Sequence, residues 1–288
     1  MIILKLIRVK HWVKNLFIFL PVFFSSELLD YDKVIITAVC VFGFSLVASS
    51  VYIINDICDI DNDKNHYSKK NRPIAAGLIS INSAFFFSLV LLFIGCLIIF
   101  FSSLNAFILT ILYFFINILY SFKLKHIPIV DFITISSGFV IRILIGSSLI
   151  MVALSQWIII MVFLLSLFLA VSKRRDDVVV YEKNKTLNRA VVQHYTVVFM
   201  DKLITIISSA LIVSYLLFVT SDYAENQYNS DYLLITFLWV LLGVFRYNQI
   251  TYVYNKSGSP VKILFKDKFI QIVLLLWIVS YSIIIYFI

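Results

Sequence analysis

Charge is what this chain has least of. Asp, Glu, Lys and Arg make up 14% of its 288 residues against 61% hydrophobic, and the mean hydropathy is +0.99. A soluble domain needs far more polar surface to face water, so that class is excluded and a polytopic membrane protein remains. Cysteine is also sparse. Cys40, Cys58 and Cys96 lie in or at the ends of apolar segments without C-x-x-C spacing, which indicates neither a zinc site nor a disulfide and leaves packing as their role. The basic N-terminus MIILKLIRVKHWVKN is followed by no small-residue cleavage site, and the next run carries Pro21 with bulky Phe and Leu, so an uncleaved first span is expected. No linker is long enough to separate soluble domains and no internal repeat stands out, so residues 1–288 read as one membrane domain. The formal net charge of +8 then belongs in loops near anionic lipid, not on nucleic acid.

Apolar blocks of helical length fall at 15–30, 34–58, 79–102, 104–122, 129–150, 153–172, 201–220, 232–246 and 269–288, which predicts an all-α bundle of nine transmembrane helices. Nine crossings put the termini on opposite sides. With the N-terminus inside, every basic residue except Lys33 and Arg142 falls in an inside segment. The outside connections carry Glu27, Asp30, Asp32 and the stretch SDYAENQYNSDY from Ser221. That asymmetry follows the positive-inside rule and predicts a multi-pass protein of the plasma (inner) membrane, with the N-terminus and the charged loops cytoplasmic. Trp12, between Lys10 and Lys14, reads as an interfacial anchor.

Chemistry concentrates in NDICDIDNDKNHYSKKNRPIAAG, from Asn55 to Gly77. At about 100° per residue, Asp56, Asp59 and Asp63 fall within roughly 60° of one another on a helix, while Asp61 points away. Crowded carboxylates repel unless a cation sits among them, and hard oxygen ligands beside a basic segment suit Mg²⁺ bridging to a phosphate-bearing substrate. His66, Lys69, Lys70 and Arg72 follow, able to neutralise phosphate oxygens that a metal leaves uncovered. A plain solvated loop would need no three-carboxylate face. A second charged stretch, SKRRDDVVVYEKNK, places Lys173 and Asp177 at i and i+4 on one helix face, although membrane topology alone would also produce a basic cluster there. The third, from Tyr120 to Asp131, leads into a span containing Arg142. An intramembrane Arg is costly and faces a polar cavity or a partner. Asp131, eleven residues away and about 16 Å along the axis, is too distant to be that partner.

The run Asn55-Asp56-x-x-Asp59-x-x-x-Asp63, followed by Lys69 and Arg72-Pro73-Ile74-Ala75-Ala76-Gly77, resembles the first aspartate-rich motif of the UbiA superfamily of intramembrane prenyltransferases. Within it the chain is most similar to the decaprenyl-phosphate phosphoribosyltransferase branch, through Trp12-Val13-Lys14-Asn15, the Tyr120–Asp131 stretch with Arg142, Ser172-Lys173-Arg174-Arg175 and Gly258-Ser259-Pro260. Two departures stand out. The second aspartate-rich motif usual in the aromatic prenyltransferases is replaced by a basic stretch in which Asp177 fills the acid position of the phosphoribosyltransferase branch. The Pro usual after the motif's His is Tyr67.

The resemblance implies transfer of 5-phosphoribosyl from phosphoribosyl pyrophosphate to a polyprenyl phosphate. Asp56, Asp59 and Asp63 would hold Mg²⁺, and Asp177 would join them in catalysis. Asn55, Lys69, Arg72, Tyr120, Lys173 and Arg174 would bind substrate, and Lys14, Lys125 and Arg142 would receive the acceptor's phosphate. Prenyl transfer from a polyprenyl diphosphate to an aromatic or lipid acceptor would use the same metal motif. An ion-coupled transporter is the reading from another class, disfavoured because the acids sit at a helix end and not at mid-membrane.

Overall fold

The computed structural model describes residues 2–64, 69–184, 190–228 and 232–287, and among these every regular element is helical. His66, Tyr67, Lys185 and Arg189 lie outside the described residues, as do Ser230 and Asp231 of the acidic connection. In chain order the α-helices are α1 (Ile2–Leu6), α2 (Leu20–Phe24), α3 (Tyr31–Cys58), α4 (Ile60–Lys64), α5 (Ile81–Ser102), α6 (Leu104–Phe122), α7 (Val130–Ile150), α8 (Gln156–Asn184), α9 (Val197–Val219), α10 (Asp222–Tyr228), α11 (Leu233–Tyr252), α12 (Pro260–Lys266) and α13 (Lys268–Phe287). The chain forms two compact units, 1–154 and 155–288. Each contains four long helices, and in each the first of the four is the longest and carries charged residues at its C-terminal end. That shared order rests on helix lengths and was invisible as sequence similarity.

Eight helices, not nine, are long and apolar enough among the described residues to cross a membrane. The expected first span is instead a 3₁₀ helix, Val9–Phe19, running into α2. Pro21 explains the change: it has no N–H to give the Phe17 carbonyl four residues back, and its ring would crowd that oxygen in an α-helix. Leu20 N–H takes Phe17 O instead, an i to i−3 bond. At about 2.0 Å per 3₁₀ residue and 1.5 Å per α residue, the broken segment still reaches about 30 Å. The sixth predicted span is longer than expected. α8 has 29 residues, roughly 44 Å at helical rise, so its charged end outruns a hydrocarbon core of about 30 Å.

Helix starts follow local chemistry. The Asp30 carboxylate accepts from Asp32 N and Lys33 N to cap α3, and Ser80, Ser103 and Thr196 cap α5, α6 and α9 in the same way. In the first unit α3 and α5 pack through glycine: a Cβ on Gly95 would stand 2.6 Å from the Gly43 carbonyl oxygen, the close approach that small residues permit between apolar helices. A core of Ile18, Phe44, Val47, Tyr113, Ile141 and Ile145 ties the 3₁₀ segment to α3, α6 and α7. In the second unit polar ties do similar work. Trp277 Nε1 donates to Tyr215 Oη at 2.8 Å, Tyr215 Oη and Thr236 Oγ1 lie 2.8 Å apart, and Trp239 Nε1 donates to Ser280 Oγ at 3.1 Å. Of the cysteines, Cys40 is a packing residue and Cys96 is half-buried, whereas Cys58 is exposed at the end of α3.

Candidate functional site

α3 delivers Asn55 and Asp56 on its last turn, and the helix then breaks. Asp59 is its C-cap at φ −98° and ψ 7°, and α4 restarts at Ile60. Backbone bonds from Asp59 N to Asn55 O at 3.0 Å and from Asp63 N to Asp59 O at 2.8 Å keep the axis nearly continuous. Asp56 and Asp63 therefore still point inward, 3% and 1% exposed, and Asp61 faces out as the spacing predicts. The break at Asp59 divides the trio, however. Its Oδ1 takes Lys125 Nζ at 2.6 Å and its Oδ2 accepts from Asn55 Nδ2 at 3.1 Å, while Ser121 Oγ donates to Asn55 Oδ1 at 3.2 Å. Asp56 and Asp63 instead share Arg72, whose Nη1 lies 2.8 Å from Asp56 Oδ1 and 2.5 Å from Asp63 Oδ2. Lys69 Nζ stands 4.0 Å from Asp63 Oδ1.

A fourth cation, Arg8, comes from the N-terminal segment. Sequence reasoning counted it only as an inside charge. Its guanidinium pairs with Asp56 and lies 5.0 Å over the Tyr52 ring, presented from a left-handed backbone at φ 53° between α1 and the 3₁₀ helix. Arg8 and Asp56 are 48 positions apart, and only the tertiary fold brings the two together. Three carboxylates thus meet four cations, Arg8, Lys69, Arg72 and Lys125. The cluster carries a formal surplus of one positive charge.

The donor set fits a divalent cation in chemistry. Two buried carboxylates converge on one position, now held by a guanidinium nitrogen, and both offer hard oxygens. No three His, Cys, Asp or Glu side chains form a ready cluster among the described residues, because Asp59 is turned to Lys125 and Asn55.

Lys125 is held by a tight corner. Val130 N–H reaches Pro128 O at 2.8 Å across Ile129, whose φ of 69° and ψ of −46° describe a strained γ-turn. Tyr120 is half-buried at the end of α6, one residue before Ser121. Of the three residues expected at the acceptor's phosphate, Lys125 is engaged by Asp59 and Arg142 has other partners. Arg142, buried within α7, donates from Nε to Asn15 Oδ1 at 3.0 Å, from Nη1 to Gly138 O at 2.7 Å and from Nη2 to Tyr113 Oη at 3.1 Å. Lys14 is half-buried on the 3₁₀ helix, next in sequence to the Asn15 that accepts from Arg142.

In the second unit the charged stretch lies on α8 itself and not in a loop. Arg174 is buried and pairs with Asp177 at 2.7 Å, so the acid meets the residue at i−3 and not only the face shared with exposed Lys173. Arg175 and Asp176, which the sequence did not rank, hold the unit together. Arg175 bonds Asp201 at 2.6 Å, Thr251 O at 2.9 Å and Asn255 Oδ1 at 2.5 Å, while Asp176 accepts from Ser257 Oγ at 2.8 Å. Gly258 packs so close that an added Cβ would lie 3.2 Å from Asp176 Oδ2. This accounts structurally for the Gly258-Ser259-Pro260 signature.

The UbiA prenyltransferase family model matches residues 16–273. The chain is 29% identical over a 295-residue alignment to a decaprenyl-phosphate phosphoribosyltransferase of Mycolicibacterium smegmatis, covering 99% of this chain and 92% of the relative. It is 26% identical over 282 residues to the enzyme of the same name from Corynebacterium glutamicum, covering 96% and 84%. A solved UbiA homolog from Archaeoglobus fulgidus bound to GPP and Mg²⁺ shares the fold, with a TM-score of 0.74 at 18% identity over 99% of both chains. The chain belongs to the UbiA prenyltransferase family and is a multi-pass membrane transferase of that all-helical fold.

Proposed function

We propose that the protein transfers a 5-phosphoribosyl group from phosphoribosyl pyrophosphate to a polyprenyl phosphate and releases pyrophosphate, its charged loops facing the cytoplasm from the plasma membrane. The observation that carries this reading is the cluster at the end of α3, where three carboxylates are interleaved with four cations. A divalent cation alone would meet a positive surplus there, and pyrophosphate alone would meet the carboxylates. Arriving together, each offsets the charge the other encounters. Asp56, Asp59 and Asp63 would hold Mg²⁺, which when bound supplies positive charge to the departing pyrophosphate. Lys69 and Arg72, freed from the acids, hold phosphate oxygens. Asn55, on the last turn of α3, and Tyr120, near the end of α6, are proposed to bind substrate. In the second unit, Lys173 and Arg174 on α8 are proposed as phosphate-binding cations, with Asp177 paired to Arg174.

The acceptor's phosphate oxygen attacks C1 of the ribose. The bond from C1 to pyrophosphate breaks, and its electron pair leaves with the pyrophosphate. The acceptor is already anionic, so positioning matters more than a general base, and no side chain becomes covalent. The choice of sugar donor is supported by near full-length likeness to two phosphoribosyltransferases. Prenyl transfer is the second reading, favoured by the A. fulgidus homolog bound to GPP. Purified protein offered each donor with Mg²⁺ and a polyprenyl phosphate should release pyrophosphate from phosphoribosyl pyrophosphate, and Asp56→Asn should lower that rate by ~100-fold or more. Turnover with a prenyl diphosphate alone would overturn the proposal.

A further inference from the structure

From residue 233 to 288 the chain has five basic side chains, Arg246, Lys256, Lys262, Lys266 and Lys268, and one acidic side chain, Asp267. Asp267 is engaged by Arg246, whose Nη2 lies 2.8 Å from its Oδ2. The four lysines are exposed, and none forms an ion pair among the described residues. Lys266 and Lys268 flank Asp267, and Lys262 shares a face of α12 with Lys266 at i and i+4. Like charges at one corner repel unless an anion comes among them. The corner itself is fixed. Asp267 N donates to Ile263 O at 2.9 Å, Asp267 Oδ1 accepts from Ile270 N at 3.0 Å to cap α13, and Gln271 Nε2 donates to Leu264 O at 2.9 Å.

A groove of about 370 Å³ opens at this corner, lined by Leu242, Phe245, Arg246 and Gln249 of α11 and by Phe269 of α13. Here the cation is part of the wall. Arg246 Nη1 donates to Gln249 Oε1 at 2.6 Å, and the guanidinium carbon stands 5.7 Å from the centre of the Phe269 ring. Gln249 Nε2 has no acceptor among the described residues. Exposed Leu238 on α11 and exposed Ile272 and Leu276 on α13 continue the apolar surface from the charged end toward the middle of each helix. A groove for acyl chains alone would gain nothing from Arg and Gln in its wall, and one for a soluble anion would gain nothing from Phe245 and Phe269.

We infer that the groove between α11 and α13 binds a diacyl phospholipid with an anionic headgroup, its phosphodiester among Arg246, Gln249, Lys266 and Lys268 and an acyl chain along Leu242, Phe245 and Phe269. The bilayer presents this chemistry in the same arrangement, a phosphate at the level of the helix ends with apolar chains running beside the helices. Charge selects among its lipids. A zwitterionic headgroup brings its own cation and so offsets the basic surplus less than an anionic one does. The bound lipid bridges α11 to the start of α13 and stabilises their contact. This site goes beyond the transfer reaction and asks nothing of its substrates.

The test is native mass spectrometry of the full-length protein in nonionic detergent, titrated separately with phosphatidylglycerol and phosphatidylcholine of matched chains, with Tm read in parallel. The wild-type protein should bind phosphatidylglycerol ~10-fold more tightly than phosphatidylcholine, and only the former should raise Tm. The double variant Lys266→Gln, Lys268→Gln should weaken phosphatidylglycerol binding ~25-fold, about fivefold for each lysine near a headgroup. Leu242→Trp, which fills the groove, should weaken it as well. The double variant Lys5→Gln, Lys10→Gln removes the same charge from the first unit and should leave it unchanged. Equal affinity for the two phospholipids, or wild-type affinity in the Lys266/Lys268 variant, would overturn the site. An equal loss in the Lys5/Lys10 variant would show diffuse attraction to net charge and overturn it too. Wild-type binding in Leu242→Trp would remove the chain from the groove, and displacement of phosphatidylglycerol by an equal concentration of farnesyl phosphate would overturn the diacyl assignment.

Discussion

Arg8 and Asp56 show how one residue can hold a site in its resting state. Asp56 is nearly fully buried and faces Arg8 and Arg72 together; a buried carboxylate without such partners would be costly to keep ionised. Removing Arg8 has opposite consequences for the two ligands of the site. Arg8→Gln lowers the positive surplus, so Mg²⁺ measured alone should bind more tightly. Pyrophosphate measured alone should bind more weakly, by ~10-fold, the range for a charged hydrogen bond. Changes of the same sign for both would show that Arg8 acts on folding and not on the local charge.

At the scale of elements, the 3₁₀ segment packs its backbone against α7 at a glycine. A Cβ on Gly146 would sit 2.0 Å from the Ile18 carbonyl oxygen and 3.0 Å from Pro21 Cγ. No side-chain rotation relieves a clash with backbone, so Gly146→Ala must push the segment off α7. That segment carries Asn15 to Arg142. Gly146→Ala should therefore lower stability by about 1–3 kcal/mol, the range for overpacking, read as a drop in Tm in detergent. It should also weaken acceptor binding more than donor binding, because the carboxylates themselves are carried by α3 and α4.

At the scale of the whole molecule, orientation is the property that loop charge predicts and geometry can report. Cys58 is exposed at the acidic end of α3, Cys40 is buried, and Cys96 is half-buried within α5. A membrane-impermeant maleimide should therefore label Cys58 in inside-out vesicles and leave it unlabelled in right-side-out ones, with Cys58→Ser as control. Labelling from the opposite side would reverse the assigned topology and with it the cytoplasmic placement of the carboxylates.

Composition and spacing determined by themselves that this is a multi-pass helical membrane protein, and that Asp56, Asp59 and Asp63 lie at a helix end with Asp61 turned away. Both follow from local quantities, the apolar length of each run and the helical angle between residues. The tertiary structure decided the rest. Gly146 let the backbone at Ile18 pack closely against α7, a contact with a distant part of the chain that the segment's hydrophobicity does not encode. Arg8 joined the acids, Lys125 went to Asp59, and Arg142 found Asn15 and Tyr113. Such pairings between distant residues are set by which helices pack together, and no periodicity along the chain encodes them.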